Sequence, residues 1–356
     1  MSGPGGRLRP APSFRDAVAR LTPLDTQAAA EAAALHDRLA KPRGALGRLE
    51  DAGVRLAGIA AACPPPVPEP AVVAVFAGDH GVLEEGVTPW PQEVTGQMVA
   101  AFCAGGAAVN VLARHAGADV VVVDVGVAAD LPPAPGLLLR KVRHGTANLA
   151  HGPAMTVEEA EQALDVGAAV AADAVAGGAR CLVTGDMGIG NTTPSAALIA
   201  ALTGRPAAEV TGRGTGIDDE TFARKVRVVG TAVARLDGDP LAAVGGLEIA
   251  ALAGFIVGGA AARVPVVVDG VIALAALLAA DSLAPGCVDY CFAGHRSTEP
   301  GATAALDHLG LTPLLDLGMR LGEGTGACLA VPLVQAAAKV LREMATLDGA
   351  GVTPKG

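Results

Sequence analysis

Short runs of apolar, mostly β-branched residues recur along this chain, and each run ends in a cluster of glycine and polar residues. Long alanine-rich segments of helical character separate the runs. Strands that are apolar on both faces and alternate with helices are typical of a mainly parallel sheet covered by helices on both sides. The pattern therefore predicts an α/β fold built on a Rossmann-like sheet. The predicted strands are 71–76, 119–125, 180–183, 264–268 and 287–292.

Polar side chains follow these predicted strands. Asp79 and His80 come after the first strand, Asp186 after the third, Asp269 after the fourth and His295 after the fifth. Ligands of open α/β sheets bind beyond the carboxyl ends of the strands, so a composite site is predicted there. The clusters contain no HxxxH or CxxC spacing. The sequence therefore favours groups that orient a substrate over a metal site.

The two ends of the chain have a different residue pattern from the middle. Apolar residues recur at helical spacing in the N-terminal part, and again from about residue 328 onward. A proline-rich stretch at 63–70 is a stiff linker and marks the best domain boundary. Because chain termini often lie close together, the two helical ends are expected to pack on each other. The predicted division is 1–62 for the N-terminal helical part of a small domain, 63–310 for the large α/β domain with the substrate site, and 311–356 for the catalytic loop and the C-terminal helical part.

Charge and composition narrow the function classes. A net charge of −10 argues against a nucleic-acid-binding protein, which usually carries a basic face. The six cysteines form no CxxC pair and fit reduced, buried thiols. The N-terminal residues lack an apolar leader. Residues 94–113 carry no charge, but interrupting polar residues favour a buried helix over a membrane span. A cytoplasmic protein without a membrane partner is expected.

Two glycine-rich loops are candidates for phosphate binding. The first runs over 185–193, between a strand and a helix, and exposes backbone N–H groups at a helix N-terminus. It is neither a P-loop nor a dinucleotide fingerprint, because Asn191 and Thr193 occupy the diagnostic positions, and a simple tight turn is the alternative. The second loop, 212–219, precedes a helix that carries Lys225. Lys225 is either a phosphate ligand or a solvated surface residue.

Two further residues suggest a site for a flat ring and an acid. Trp90 is the only tryptophan and stands between two prolines, which suits either the wall of an aromatic pocket or ordinary packing. Glu323 stands between Gly322 and Gly324, where neighbouring side chains do not crowd it. It is either a reactive carboxylate or an idle loop acid. There is no Gly-x-Ser-x-Gly elbow and no Cys/His pair at a familiar spacing to indicate covalent catalysis.

Taken in order, these segments resemble one family closely, the nicotinate-nucleotide–dimethylbenzimidazole phosphoribosyltransferases. The resemblance runs from about residue 41 to residue 330 and therefore covers most of the chain. The segments that carry it are Lys41-Pro-Arg-Gly-Ala-Leu-Gly-Arg-Leu-Glu50, Phe76-Ala-Gly-Asp-His-Gly81, Pro91-Gln-Glu-Val-Thr-Gly-Gln-Met98, 185–193, 212–219, Ala293-Gly-His-Arg-Ser297 and Arg320-Leu-Gly-Glu-Gly-Thr-Gly-Ala327.

The resemblance implies a homodimer with a large Rossmann-like domain and a small helical domain made from both termini. It implies transfer of 5-phosphoribose from nicotinate mononucleotide to 5,6-dimethylbenzimidazole, with neither metal nor cofactor. At residue 186 some members carry Glu where this chain has Asp. By position, the resemblance assigns catalysis to Glu323, phosphate or nucleotide binding to Asp186, Gly188, Gly190, Asn191, Gly214, Gly216 and Lys225, and the acceptor-base pocket to Asp79, Trp90, Gln97 and Gly322.

The residues agree with that chemistry. The leaving group of nicotinate mononucleotide is already a cationic pyridinium, so no general acid must protonate it. One carboxylate is enough to remove the acceptor's imidazole proton, and burial would raise its pKa toward neutrality. Two alternatives stay open in the sequence. One is the same scaffold with another aromatic base as acceptor, and the other is a non-catalytic nucleotide-binding regulator.

Overall fold

The computed structural model describes residues 12–352, and a single sheet of parallel strands forms the centre of that range. The spatial order β3-β2-β1-β4-β5-β6 is that of a doubly wound Rossmann sheet. The predicted α/β class is therefore confirmed. The strands are β1 (Ala71–Gly78), β2 (Ala118–Gly126), β3 (Leu137–Leu139), β4 (Cys181–Met187), β5 (Val266–Val268) and β6 (Cys291–Ala293).

Helices connect the strands and extend the chain at both ends. The helices of the first half are α1 (Phe14–Arg20), α2 (Thr26–Arg38), α3 (Arg48–Ala60), α4 (Glu93–Cys103), α5 (Ala108–Ala116) and α6 (Val157–Ala176). Those of the second half are α7 (Thr192–Thr203), α8 (Ala207–Val210), α9 (Asp219–Ala234), α10 (Pro240–Val244), α11 (Leu247–Ala261), α12 (Val271–Leu283), α13 (Pro300–Leu309) and α14 (Thr325–Glu343).

The sheet is buried because its central strands are apolar on both faces. Every residue of β4 is buried, and α11, which is buried along almost its whole length, packs against β1, β2, β4 and β5 together with α6 and α12. Helix α14 packs with α5 and contacts β4 and β5. Close packing of α11 on α6 depends on glycine, since a Cβ on Gly167 would lie 1.8 Å from the carbonyl oxygen of Ala251.

Three strands differ clearly from the sequence prediction, and one of them is β4, which continues to Met187 beyond the predicted end at residue 183. Residues Cys287–Tyr290 form a 3-10 helix, so the strand predicted over 287–292 was wrong in its first part and β6 begins at Cys291. Gly286, with φ of 96°, turns the chain there, and the Tyr290 hydroxyl donates to the carbonyl of Thr22 at 2.8 Å. Strand β3 was not predicted, because three residues are too few for a periodic pattern.

The charge-free segment 94–113 folds as two helices and not as the predicted single one. It belongs to Glu93–Ala116, the one stretch within 12–352 that is long and apolar enough to cross a membrane by length and composition. The chain turns after Cys103, so α4 has 11 residues and α5 has 9. Each is shorter than the roughly 20 residues that a spanning helix needs.

The terminal helices contact each other. Helix α14 packs against α2 and α3, and a small second apolar cluster lies among them. Its buried members are Ala28, Ala32, Ala57 and Leu341. Helix α14 begins at Thr325, three residues before the predicted start. The exact limits of a small domain stay a prediction. Residues 1–11, which carry the expectation about a leader, and residues 353–356 lie outside the described range.

Candidate active site

The functional candidate is a cavity of about 340 Å³ at the carboxyl ends of β4, β5 and β6. Its walls come mainly from six loops, from one face of α4 and from Lys225 on α9, and they are mainly apolar. The lining includes Trp90, Met98, Asp186, Gly188, Gly190, Asn191, Thr192, Gly214, Lys225, His295, Glu299, Arg320, Gly322 and Glu323. The composite site predicted at the strand ends therefore corresponds to a real concavity.

Glu323 enters the cavity from the loop before α14. Its backbone φ is 65°, between Gly322 at 84° and Gly324 at 91°, so three consecutive residues adopt the left-handed region. Only glycine adopts that region freely, and a residue with a Cβ pays on the order of 1–2 kcal/mol. The surrounding structure must therefore hold Glu323 in place, as it does at many functional sites.

The carboxylate of Glu323 is buried, with 6% of the residue exposed, and its Oε2 has no hydrogen-bond partner. Burial raises the pKa of Glu323, the backbone N–H of Val109 at the start of α5 opposes that shift, and the negative charge of Asp269 adds to it. A carboxylate with a raised pKa and a free oxygen is suited to accept a proton near neutral pH.

Asp186 lies at the end of β4, beside the Glu323 loop. A Cβ on Gly322 would lie 3.2 Å from both carboxylate oxygens, so these two segments are in contact. The Asn191 side chain donates to Asp186 Oδ2 at 2.9 Å, while Oδ1 has no partner. Burial raises the pKa of Asp186 well above its ordinary value, and the nearby Asp269 acts in the same direction. Asn191 therefore holds this acid in addition to lining the cavity.

The first glycine loop follows Asp186 and continues into α7. A Cβ on Gly188 would lie 2.3 Å from the carbonyl oxygen of Gly78, so only glycine permits this close approach to the end of β1. The loop places Gly188, Gly190 and Asn191 on the cavity wall at the N-terminus of α7. Free N–H groups at a helix N-terminus suit an anion.

Lys225 reaches the cavity from α9, beside the end of the first glycine loop. It is 2% exposed, and its Nζ donates to Thr192 Oγ1 at 2.7 Å and to the carbonyl oxygen of Gly212 at 3.1 Å. Burial lowers the pKa of Lys225 to about 8, and the Glu299 carboxylate acts in the opposite direction. The interpretation of Lys225 as a solvated surface residue is therefore wrong.

The second glycine loop is tied to neighbouring segments. Gly214 donates its N–H to Glu299 Oε1 at 2.8 Å, and Arg320 donates to the carbonyl oxygen of Gly214 at 2.9 Å. Gly214 lines the main cavity, whereas Gly216 borders an adjoining depression. Lys225, both loops and Arg320 thus form one connected polar part of the site.

Only some of the residues predicted for the acceptor pocket line the cavity. Gly322 lines the cavity, and Trp90 stands half-exposed at its wall. Asp79 does not line it, but lies buried with Oδ2 accepting the N–H of Ala128 at 2.8 Å. Gln97 is exposed on α4, and its neighbour Met98 faces the cavity instead.

Sequence reasoning missed two charged residues of the site, Glu299 and Arg320. Glu299 directly precedes Pro300, and an acid followed by proline is a helix-start signal, so its contact with Gly214 has no separate sequence signature. Arg320 lies in the same glycine-rich segment as Glu323, but nothing local indicates that it bonds a loop more than a hundred residues away. Across residues 12–352, no group of three His, Cys, Asp or Glu side chains is arranged to hold a metal ion.

Comparison with known proteins agrees with this geometry. A phosphoribosyltransferase family model matches residues 21–352. A nicotinate-nucleotide–dimethylbenzimidazole phosphoribosyltransferase from Salinispora tropica is 58% identical over 358 residues, which cover 95% of this chain and 98% of that protein. The protein of the same name from Chloroflexus aggregans is 55% identical, with 95% and 97% covered. A crystal structure of the protein of that name from Thermus thermophilus has a TM-score of 0.89 at 50% identity and covers 93% of this chain and 100% of its own.

Proposed function

This chain belongs to the nicotinate-nucleotide–dimethylbenzimidazole phosphoribosyltransferase family, and from that premise we propose that Glu323 is the general base of its reaction. The reaction transfers 5-phosphoribose from nicotinate mononucleotide to 5,6-dimethylbenzimidazole. The products are α-ribazole 5′-phosphate and nicotinate. The assignment of individual residues to steps is the part that is proposed.

The chemistry requires one proton acceptor. A ring nitrogen of the acceptor attacks C1′ of the ribose, and the bond from C1′ to the pyridinium nitrogen breaks. The electron pair of that bond neutralises the pyridinium, so the leaving group needs no proton. The other imidazole nitrogen loses its proton, and we assign that proton to Glu323. Attack opposite the leaving group converts the β-nucleotide into an α-riboside.

The free Oε2 of buried Glu323 is the observation that supports this role most directly. The raised pKa makes the carboxylate a stronger base than an exposed glutamate. Glu323 lines the cavity, so its carboxyl group lies beside a flat ring bound there. A general base contributes roughly 10²–10⁴-fold to such a step. The remaining acceleration comes from holding the two rings and the ribose in line.

We assign the phosphate of the nucleotide to the polar end of the cavity. Lys225 supplies a positive charge there, and Gly188, Gly190 and Gly214 are backbone positions of the two loops that line the same cavity. Gly216, in the adjoining depression, extends the second loop. We assign the acceptor ring to the apolar side between Trp90, Met98 and Gly322. This arrangement points the ring toward Glu323.

We also propose that the protein works as a cytoplasmic homodimer. Two large apolar side chains that line the cavity are exposed, Trp90 at 49% and Leu321 at 57%, and Leu317, four residues before Leu321, is 60% exposed. Apolar side chains grouped at one face suit a protein–protein contact. Sedimentation equilibrium tests this proposal, and a monomer at micromolar concentration contradicts it.

The general-base role is tested by comparing two acceptors in the wild type and in Glu323→Gln. Dimethylbenzimidazole has a ring proton to lose, whereas its 1-methyl derivative has none. The substitution should slow nicotinate release far more with dimethylbenzimidazole than with the methylated acceptor. Equal slowing with both acceptors would show that Glu323 does not act by removing the proton.

The acceptor range is a separate question. The apolar side of the cavity offers shape and little hydrogen bonding, so other flat bases are expected to compete. A competition assay that measures the products from dimethylbenzimidazole, unsubstituted benzimidazole and adenine ranks them. Strong preference for adenine would contradict dimethylbenzimidazole as the principal acceptor.

A further inference from the structure

We infer that Asp269, a fully buried carboxylate beneath the cavity, is the positioning residue that holds Glu323 in its reactive place. The inference rests on the proposed role of Glu323 as general base. Asp269 follows β5 and does not itself line the cavity. It acts through the backbone of the loop and not by touching substrate.

The first observation is a pair of hydrogen bonds. The Oδ2 of Asp269 accepts the N–H of Gly324 at 3.2 Å, and Oδ1 accepts the N–H of Ala327 at 2.8 Å. Gly324 occupies the N-cap position of α14 and has no side chain to cap the helix. Asp269 therefore caps α14 from a distant part of the chain, and its charge suits the positive end of the helix.

The second observation is where those bonds fall. Gly324 directly follows Glu323, which is held in a backbone conformation that side-chain-bearing residues avoid. From the other side, a Cβ on Gly185 would lie 2.6 Å from the carbonyl oxygen of Glu323, so β4 supports the loop closely. Asp269 thus fixes the residue after the base, while β4 limits movement of the base itself.

The third observation is that Asp269 is itself held. Its backbone N–H donates to Thr184 Oγ1 at 2.9 Å, and His295 Nε2 lies 3.3 Å from its Oδ1. Burial on its own would lower the pKa of His295, but the Asp269 carboxylate raises it. A protonated His295 supplies the counter-charge that a buried carboxylate needs. Residues from three consecutive sheet strands therefore converge on one backbone segment.

The charged groups around Glu323 define the expected electrostatic effect. Asp186 reaches it from β4, Asp269 from the end of β5, and His295 stands behind Asp269 at the end of β6. The negative charge of Asp269 raises the pKa of Glu323. Burial is the largest cause of the raised pKa of Asp186, and the charge of Asp269 adds to it, so removing that charge lowers the pKa of Asp186 as well.

The test is Asp269→Asn, with kcat followed against pH. The asparagine amide has only one oxygen, so its NH₂ group faces one of the two backbone N–H donors. That hydrogen bond is lost, and the loop loosens. We expect kcat to fall on the order of 10- to 100-fold, as for a misplaced catalytic group, with little change in the KM for nicotinate mononucleotide. The acid limb of the kcat profile should move to lower pH, because the charge that raised the pKa of Glu323 is gone.

Asp124→Asn is the matched control. Asp124 is also fully buried at a strand end, where it accepts the N–H of Val127 at 2.9 Å and pairs with Lys141 at 2.9 Å, but it does not border the cavity. It should destabilise the fold and leave the pH profile in place. An equal displacement of the acid limb in both variants would overturn the inference.

Thr184→Val disturbs the position of Asp269 without removing its charge. It also keeps the inference testable if Asp269→Asn does not fold. It removes only the hydroxyl that accepts the Asp269 N–H, and it should lower kcat several-fold with the acid limb unmoved. In a Glu323→Gln background, Asp269→Asn should slow the residual rate no further. A wild-type kcat in Thr184→Val, or further slowing in the double variant, would overturn the inference. An active Glu323→Gln would instead defeat the general-base role.

Discussion

The two charged ends of the cavity differ in how completely the buried charged group is hydrogen-bonded. Lys225 is buried with its ammonium group already bonded to Thr192 and Gly212. Glu323 is buried with one carboxylate oxygen bonded to nothing. The ammonium group of Lys225 is thus preorganised to bind a phosphate, because its hydrogen bonds fix its position before the substrate binds. The acid keeps an unsatisfied acceptor, which costs stability and leaves a place for a proton.

We therefore expect substitutions of Glu323 and of Lys225 to have different effects on the enzyme. Removing the acid should reduce turnover and spare nucleotide binding, because the acceptor proton is transferred only in the reaction. Removing the cation should weaken binding of the phosphorylated substrate.

The largest effect is expected from Glu323→Gln. The amide keeps the size of the side chain and cannot take the proton, so kcat should fall roughly 10²–10⁴-fold. Titration calorimetry should find the affinity for nicotinate mononucleotide nearly unchanged. Glu161→Gln, on the exposed side of α6, is the control and should behave as the parent. Turnover within a few-fold of the parent would contradict the assignment.

The next effect is expected from Lys225→Met. A charge-assisted hydrogen bond to a phosphate contributes about 1.5–3 kcal/mol, so the Kd for nicotinate mononucleotide should rise roughly 10- to 100-fold. Arg227→Met is a matched control two residues away, because Arg227 is exposed on the same helix. If both variants bind the nucleotide as tightly as the parent, the phosphate lies elsewhere.

The pH dependence of kcat/KM should show the titration of both Glu323 and Lys225. Glu323 must be ionised to act, and its pKa is raised, so activity should fall as the pH drops through a value above the ordinary 4.5. Lys225 must be protonated to attract phosphate, so activity should also fall as the pH rises through about 8. Lys225→Met should lose only the alkaline limb. An alkaline limb that survives the substitution would belong to another group.

The smallest effect is expected from Trp90→Ala at the apolar wall. Because the ring is 49% exposed, its loss should raise the KM for dimethylbenzimidazole only a few-fold. The affinity for nicotinate mononucleotide, measured by calorimetry, should not change. A comparable loss for the nucleotide would show that Trp90 contacts the donor instead of the acceptor.

Much of the fold follows from local sequence. Runs such as Val72–Val75 are apolar on both faces, which only a sheet covered on both sides accommodates. The glycines at 188 and 322 mark places where a backbone or a neighbouring acid comes very close. By contrast, β3 and the start of β6 were not predictable, since three residues carry no period and a single turn at Gly286 decides where the strand begins.

The sequence by itself determined which side chains are available: a glutamate between glycines, a lysine after a glycine loop and polar residues after each strand. Only the tertiary structure decided their chemistry. Burial, which raises the pKa of Glu323 and lowers that of Lys225, comes from residues far away in the chain. So do the contacts of Glu299 with Gly214 and of Asp269 with Gly324. Local spacing specifies backbone conformation, but the dielectric environment of a charge depends on everything packed around it.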